Sequence, residues 1–395
     1  MKTERFEVVI VGAGAAGMMC AIEAGRRGRR VLVLDHASAP GEKIRISGGG
    51  RCNFTNLGAS PAQFLSENPR FAASALKRYS QHDFIAMMNR HGIAWHEKTL
   101  GQLFCDDSAR QIIAMLTGEM RQAGATLCLN TAVETVERDG DGFLCRLSDG
   151  RMVGAASLVA ATGGKSIPKM GATGWAYDLA ARFGVRVAPT RPALVPLTFG
   201  DDLLARLKPL AGVSTDAVVA HGRTRFREGL LFTHRGLSGP SIQQISSYWR
   251  EGDEITVSLA PDADVFEALR AARAENGRQA IHTALSRLIP RRLAESVAER
   301  VAVSGNLADL SDKALRRLDQ AVNGWRVRPA GSEGYRTAEV TLGGIDTAAL
   351  DQRTMAVKTV PGLHFIGEAV DVTGWLGGYN FQWAWSSGWC AGQSC

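Results

Sequence analysis

Phe6-Glu7-Val8-Val9-Ile10-Val11-Gly12-Ala13-Gly14-Ala15-Ala16-Gly17 opens on a β-branched run and then breaks into glycines at a fixed spacing. The run 6–11 reads as a buried strand. The G-x-G-x-x-G reads as a turn into a helix that continues to about Arg27 and is closed by Gly28. Val31-Leu32-Val33-Leu34 is the next strand and ends in Asp35, with His36 beside it. Each part serves to grip a dinucleotide. Gly12 permits the tight turn. Gly14, followed by Ala15 and Ala16, lets the backbone approach a pyrophosphate, and Gly17 lets the helix pack on the strand. The helix N-terminus offers N–H groups to phosphates, and Asp35 is placed to accept hydrogen bonds from a ribose. A carboxylate there repels a 2′-phosphate, which leaves FAD or NAD.

The next segment separates those two. Residues 40–56, Pro-Gly-Glu-Lys-Ile-Arg-Ile-Ser-Gly-Gly-Gly-Arg-Cys-Asn-Phe-Thr-Asn, are too polar and glycine-rich for core. Gly48, Gly49 and Gly50 permit main-chain contact with a flat ligand, and Lys43, Arg45 and Arg51 are suited to phosphates or flavin carbonyls. An NAD dehydrogenase continues directly into another βα unit, whereas a flavoprotein threads its chain along the ribityl and isoalloxazine groups here.

The stretch Ile46-Ser47-Gly48-Gly49-Gly50-Arg51-Cys52-Asn53-Phe54-Thr55-Asn56 resembles the signature of the bacterial YhiN/BaiN-type flavoproteins, also called HI0933-like or aminoacetone-oxidase-like. Three more segments match in order: 162–174 (opening Thr162-Gly163-Gly164), 232–240, and 367–374 running into 377–384. Trp175-Ala176, Val185 and Trp375-Leu376 depart from the usual pattern and mark a divergent subgroup. The resemblance implies an α/β fold: a glutathione-reductase-like FAD-binding Rossmann domain with an inserted β-barrel domain and a small α-helical domain. The expected boundaries are 1–187 and 346–395 for the FAD domain, 188–260 with 326–345 for the barrel or sandwich, and 261–325 for the helices.

In that layout Ala132 and Val133 lie beside the adenine. Ser47, Cys52, Asn53 and Asn56 join the glycine loop against the flavin, as do Thr162, Gly163 and Gly164. Gly367 and Glu368 end a strand from which Glu368 reaches ribityl or ribose hydroxyls. Gly377, Gly378, Tyr379 and Asn380 open a helix aimed at the flavin pyrimidine edge, where its N-terminus favours negative charge on the reduced ring. Trp383, Trp385 and Trp389, at helical spacing, are expected in the core.

The implied activity is hydride transfer through flavin N5 to or from a small ketone or amine. NAD(P)H serves as a transient donor, since no second G-x-G-x-x-G is present. Arg51 and His234 are the candidates for catalytic help. Cys390 and Cys395 are a candidate redox pair. Two rival readings are a flavin-binding sensor without turnover and a flavoenzyme acting on tRNA.

Composition bounds these readings. The chain has 395 residues and a net charge of +7, but residues 262–325 carry 10 Lys/Arg against 9 Asp/Glu and no basic stripe or base-stacking signature appears. No nucleic-acid partner is expected. Seven scattered cysteines without Cys-x-x-Cys argue against a disulfide framework and a zinc site. The uncharged, Gly- and Ala-rich run Val8–Ile22 is too short to span a membrane. A cytoplasmic enzyme with no metal and no membrane association is expected. The 44 glycines are roughly 11% against a typical ~7%, and ten of them (12, 14, 17, 48–50, 163–164 and 377–378) fall in the four segments expected around one FAD.

Overall fold

The computed structural model describes residues 3–395. Chain contacts divide it into two compact units, one running up to Pro192 and resuming with Glu339–Cys395, the other Ala193–Ala338.

The first unit is built on β1 (Glu4–Val11), α1 (Ala15–Arg26) and β2 (Val31–Leu34). A helix α2 (Ala109–Gln122) leads into β3 (Thr126–Cys128). A meander follows in β4 (Val133–Asp139), β5 (Gly142–Leu147) and β6 (Met152–Ala160). Near the other end of the sequence, β7 (Leu363–Phe365) returns to the sheet and α3 (Tyr379–Gly392) follows it.

The strand order is β3-β2-β1-β6-β5-β4, with β7 also paired to β6. Strands β3, β2, β1, β6 and β7 are mutually parallel, and the β6–β5–β4 pairs are antiparallel. β6 is long enough to serve both patterns. Its first half pairs Met152–Ala155 with β5, and its last three residues pair Leu158–Ala160 with β7. The central strands are buried on both faces, which is why β1 and β2 read as continuous apolar runs rather than alternating ones.

Helices α1 and α3 pack tightly because glycines remove the side chains between them. A Cβ on Gly388 would lie 2.4 Å from the Ala16 carbonyl oxygen, and one on Gly392 2.7 Å from that of Cys20. That approach sets the cysteine geometry. Cys395 Sγ lies 3.9 Å from Cys20 Sγ, while Cys390 sits 3.7 Å from an Arg78 nitrogen. The candidate pair Cys390 and Cys395, five residues apart at the end of α3, face different neighbours. Trp385 is fully buried, stacked on Phe84 at 4.3 Å, and its indole donates to Phe54 O. Trp383 donates to Gly367 O, and Trp389 stacks on Tyr79. All three tryptophans pack as their helical spacing predicts.

The second unit holds a seven-stranded antiparallel sheet ordered 325–327, 255–258, 214–221, 224–232, 236–238, 197–198, 331–332. Its two outermost strands, Trp325–Val327 and Gly331–Ser332, are joined by three residues, so the sheet curls back on itself. Helices Val265–Glu275, Ile281–Leu285, Arg291–Arg300 and Asp312–Asn323 belong to the same unit. Strands Val187–Ala193 and Val340–Ile345, both expected among the inserted strands, pair with each other.

Candidate active site

The glycines of the first turn divide by what surrounds them. Gly12 has φ +113°, and a Cβ there would lie 2.4 Å from Ala161 O. A Cβ on Gly17 would lie 1.9 Å from Gly12 O. A Cβ on Gly14 would meet nothing within 4 Å. Two glycines are thus required by chain packed on chain, and the third faces outward at the start of α1. No side chain caps that helix start, so its first N–H groups, at Ala15 and Ala16, keep their capacity for an anion. We expect Gly14→Ala to leave Tm within about 2 °C, since its backbone angles suit alanine, and to weaken FAD binding about tenfold or more by holding phosphate off the turn. Melting of the apoprotein and flavin titration check this.

Asp35 closes the turn from the side. Its carboxylate accepts from Ala13 N at 2.6 Å and from Ala37 N at 2.9 Å. A carboxylate has about four acceptor positions, so two serve the fold and the others suit a ribose. The His36 ring occupies the space a Cβ on Gly171 would take. Thr131 N donates to Asp35 O, which carries Ala132 and Val133 alongside the same edge.

The end of β6 continues the surface. Ala161 N donates to Val11 O, and the Thr162 hydroxyl that follows is buried with no protein partner. A Cβ on Gly163, at φ +74°, would meet nothing within 4 Å. A buried hydroxyl without a partner costs free energy that a ligand's polar atom offsets. With Gly14 and Gly163 both unobstructed, these residues fit the pyrophosphate and ribityl part of FAD.

Glu368 was expected on ribose or ribityl hydroxyls. In the structure it accepts from Ser166 Oγ at 2.7 Å, from Thr341 N at 3.0 Å and from Lys43 Nζ at 2.5 Å. Lys43 is two-thirds buried and needs a counter-ion, and Glu368 supplies it. Ser166 and Thr341 were not singled out from sequence. Ser166 sits inside a quoted motif, whereas nothing local marks Thr341.

Ser47–Gly50 forms a tight turn in which Gly48, Gly49 and Gly50 all take left-handed angles. A Cβ on Gly48 would collide with the Phe104 ring, and one on Gly49 would meet nothing within 4 Å. Cys52 is fully buried, and burial pushes its thiol well above the ordinary cysteine range, so it is not a reactive thiolate. Asn56 donates to Gly377 O and Leu100 O and accepts from Gly58 N. A Cβ on Gly378 would lie 2.3 Å from Thr55 O and 2.8 Å from Asn53 Oδ1. Gly377 and Gly378 therefore lie against the strand that leaves the glycine loop, and α3 starts there with no side-chain cap. Asn380, expected on the flavin, exchanges hydrogen bonds with Gly374 N and O, so its amide shapes the loop. Gly367 N donates to Ser387 Oγ, and Tyr379 packs edge-on against Phe64.

These contacts join the four glycine segments of the first unit into one surface. Arg51 is exposed on it. His234 is exposed in the second unit, in the turn where Thr233 Oγ1 accepts from Arg235 N and Gly236 N.

The family model described as HI0933-like protein Rossmann domain matches residues 6–394. A ribosomal RNA dihydrouridine synthase of Escherichia coli (strain K12) is 52% identical over 396 residues, covering 99% of this chain and 98% of that protein. A 3-dehydro-bile acid delta(4,6)-reductase of Clostridium scindens is 28% identical over 404 residues, covering 98% of each. Among solved structures, the 3-ketosteroid-delta4-(5alpha)-dehydrogenase of Rhodococcus jostii RHA1 shares the fold, with a TM-score of 0.53 at 15% identity over 99% of this chain and 96% of that one.

Proposed function

The chain belongs to the HI0933-like family of FAD-dependent oxidoreductases, and from that premise we propose that it reduces uridine to dihydrouridine in ribosomal RNA. The observation that carries this reading is the 52% identity along 98% of a relative named for that reaction. The more distant relative is also named as a reductase of carbon–carbon double bonds. A carbonyl-conjugated C=C is the common acceptor chemistry, and uracil C5=C6 belongs to it. This replaces the small ketone or amine as the preferred substrate and reverses the expectation of no nucleic-acid partner. No helix among the described residues is long and apolar enough to cross a membrane.

When bound and reduced, FAD supplies a hydride from its N5. The chain's own residues hold and bias it. The Gly12–Gly17 turn and the start of α1 take the pyrophosphate, Asp35 the adenosine ribose, and Thr162 a polar atom of the ribityl side. The uncapped start of α3 favours negative charge on the reduced ring. Reduction of the base consumes two electrons and two protons; NAD(P)H, as a transient donor, supplies the electrons and one proton as hydride, and the second proton comes from water.

Deleting the gene is expected to remove a dihydrouridine from ribosomal RNA, read by mass spectrometry of nuclease digests. Purified protein with NADH or NADPH is expected to restore it on RNA from the deletion strain. Unchanged RNA in the deletion strain, with no product in vitro, overturns the reading.

A further inference from the structure

Among the described residues only three large hydrophobic side chains are strongly exposed: Leu100 (64%), Ile46 (49%) and Leu57 (38%). Single exposed leucines are ordinary, but these three share a neighbourhood. Ile46 directly precedes the Ser47–Gly50 turn. Leu57 follows the strand Asn53–Asn56 that leaves that loop, and its N–H donates to Gly101 O. Leu100 is the tip of the hairpin formed by Trp95–Glu97 and Gln102–Cys105.

The hairpin is wedged between both glycine segments of the flavin edge. Phe104 blocks a Cβ on Gly48, Gln102 blocks one on Gly377, and Asn56 ties Leu100 O to Gly377 O. Leu100 also holds a left-handed backbone, φ +52°. Glycine adopts that conformation freely, while a leucine costs about 1 kcal/mol or more there. An apolar side chain is thus presented to solvent at a conformational cost, beside the place where the base must react. Lys98 lies in the same hairpin loop and Arg51 stands at the other end of the strand pair, where its carbonyl accepts from Cys105 N; both are exposed. Glu97 is the nearby acid, and its carboxylate accepts from Gly101 N.

A uracil stacked within folded RNA cannot reach a flavin. The base must leave its stack, and enzymes that do this fill the gap with an apolar side chain while cations hold the phosphates. Resting on the ribosomal RNA reading, we propose that Leu100, supported by Leu57, is the wedge that replaces the extruded uridine in a folded RNA substrate, with Arg51 and Lys98 on its backbone.

The test compares Leu100→Ala with wild type on two substrates: a folded ribosomal RNA fragment containing the mapped uridine, and an unpaired oligonucleotide of the same local sequence. The wedge predicts a loss of about tenfold or more in kcat/KM on the folded fragment and less than about twofold on the unpaired one. It also predicts loss of the fluorescence gain from 2-aminopurine placed next to the target. Flavin content and reduction by NAD(P)H stay at the wild-type level. Equal effects on both RNAs, or none, overturn the wedge and leave the RNA reading standing. If wild type converts neither RNA, the RNA reading fails and the wedge falls with it.

Discussion

Gly17→Ala is expected to yield a protein that melts far below wild type and purifies without yellow colour. The added Cβ would lie 1.9 Å from Gly12 O and 3.2 Å from the Ala161 Cβ. The first of these neighbours is backbone, and the turn cannot retreat because Gly12 itself abuts Ala161 O. Helix α1 must therefore lift away from the β1–β6 edge, which disturbs the close contact of its Ala16 with Gly388 of α3. Overpacking against backbone at such a distance costs about 3 kcal/mol or more. Set beside Gly14→Ala, the pair separates two requirements. One glycine is needed by the fold even without ligand, and the other only by the ligand. A Gly17→Ala protein with wild-type Tm and full flavin content would show that the turn is looser than these distances require.

Glu368→Ala carries the second large effect. The substitution leaves Lys43, Ser166 and Thr341 N without their shared acceptor. A fully buried pair broken in this way costs about 3–5 kcal/mol. Because Lys43 remains one-third exposed, about 2–3 kcal/mol is expected in denaturant melts. The loss extends to the cofactor, since Lys43 stands at the head of the glycine loop and Thr341 against Gly164. FAD affinity is expected to fall about tenfold. Glu368→Gln keeps an acceptor for Ser166 and Thr341 N and should recover part of the loss. Combining Lys43→Met with Glu368→Ala should cost less than the two single changes added together. Strict additivity would show that the carboxylate serves the three segments independently.

The parts of this site that were legible in sequence are those whose physical demand is local. Gly12, Gly14 and Gly17 could be assigned separate tasks because turn, ligand approach and helix packing each act within a few residues. Trp383, Trp385 and Trp389 could be placed in the core from helical spacing alone. What escaped was set by partners far along the chain. The ion pair of Glu368 with Lys43 could not be read because the partners lie 325 positions apart. Asn380 looked like a ligand residue because its loop contacts appear only once Gly374 folds back on it. Cys395 was matched to Cys390 by proximity in sequence, whereas helix packing gives it Cys20. The hairpin carrying Leu100 was missed because its strands span three and four residues, too short for alternation to show. The absence of a basic stripe argued against nucleic acid, yet the proposed wedge, on a hairpin with Lys98 in its loop and Arg51 at its base, needs no such stripe.

The flavin-holding unit is written in two pieces, separated by the whole of Ala193–Ala338. During synthesis the first piece leaves the ribosome with its parallel sheet lacking β7 and its glycine turn lacking α3. The nascent chain must keep that edge of β6 from pairing elsewhere while 146 further residues (193–338) are made and folded. Closing so long a loop adds little entropy beyond closing a short one, so the delay is one of time rather than of stability. A chain ended before Glu339 would lack β7 and α3 and present only half of the cradle, and it is expected to purify without flavin.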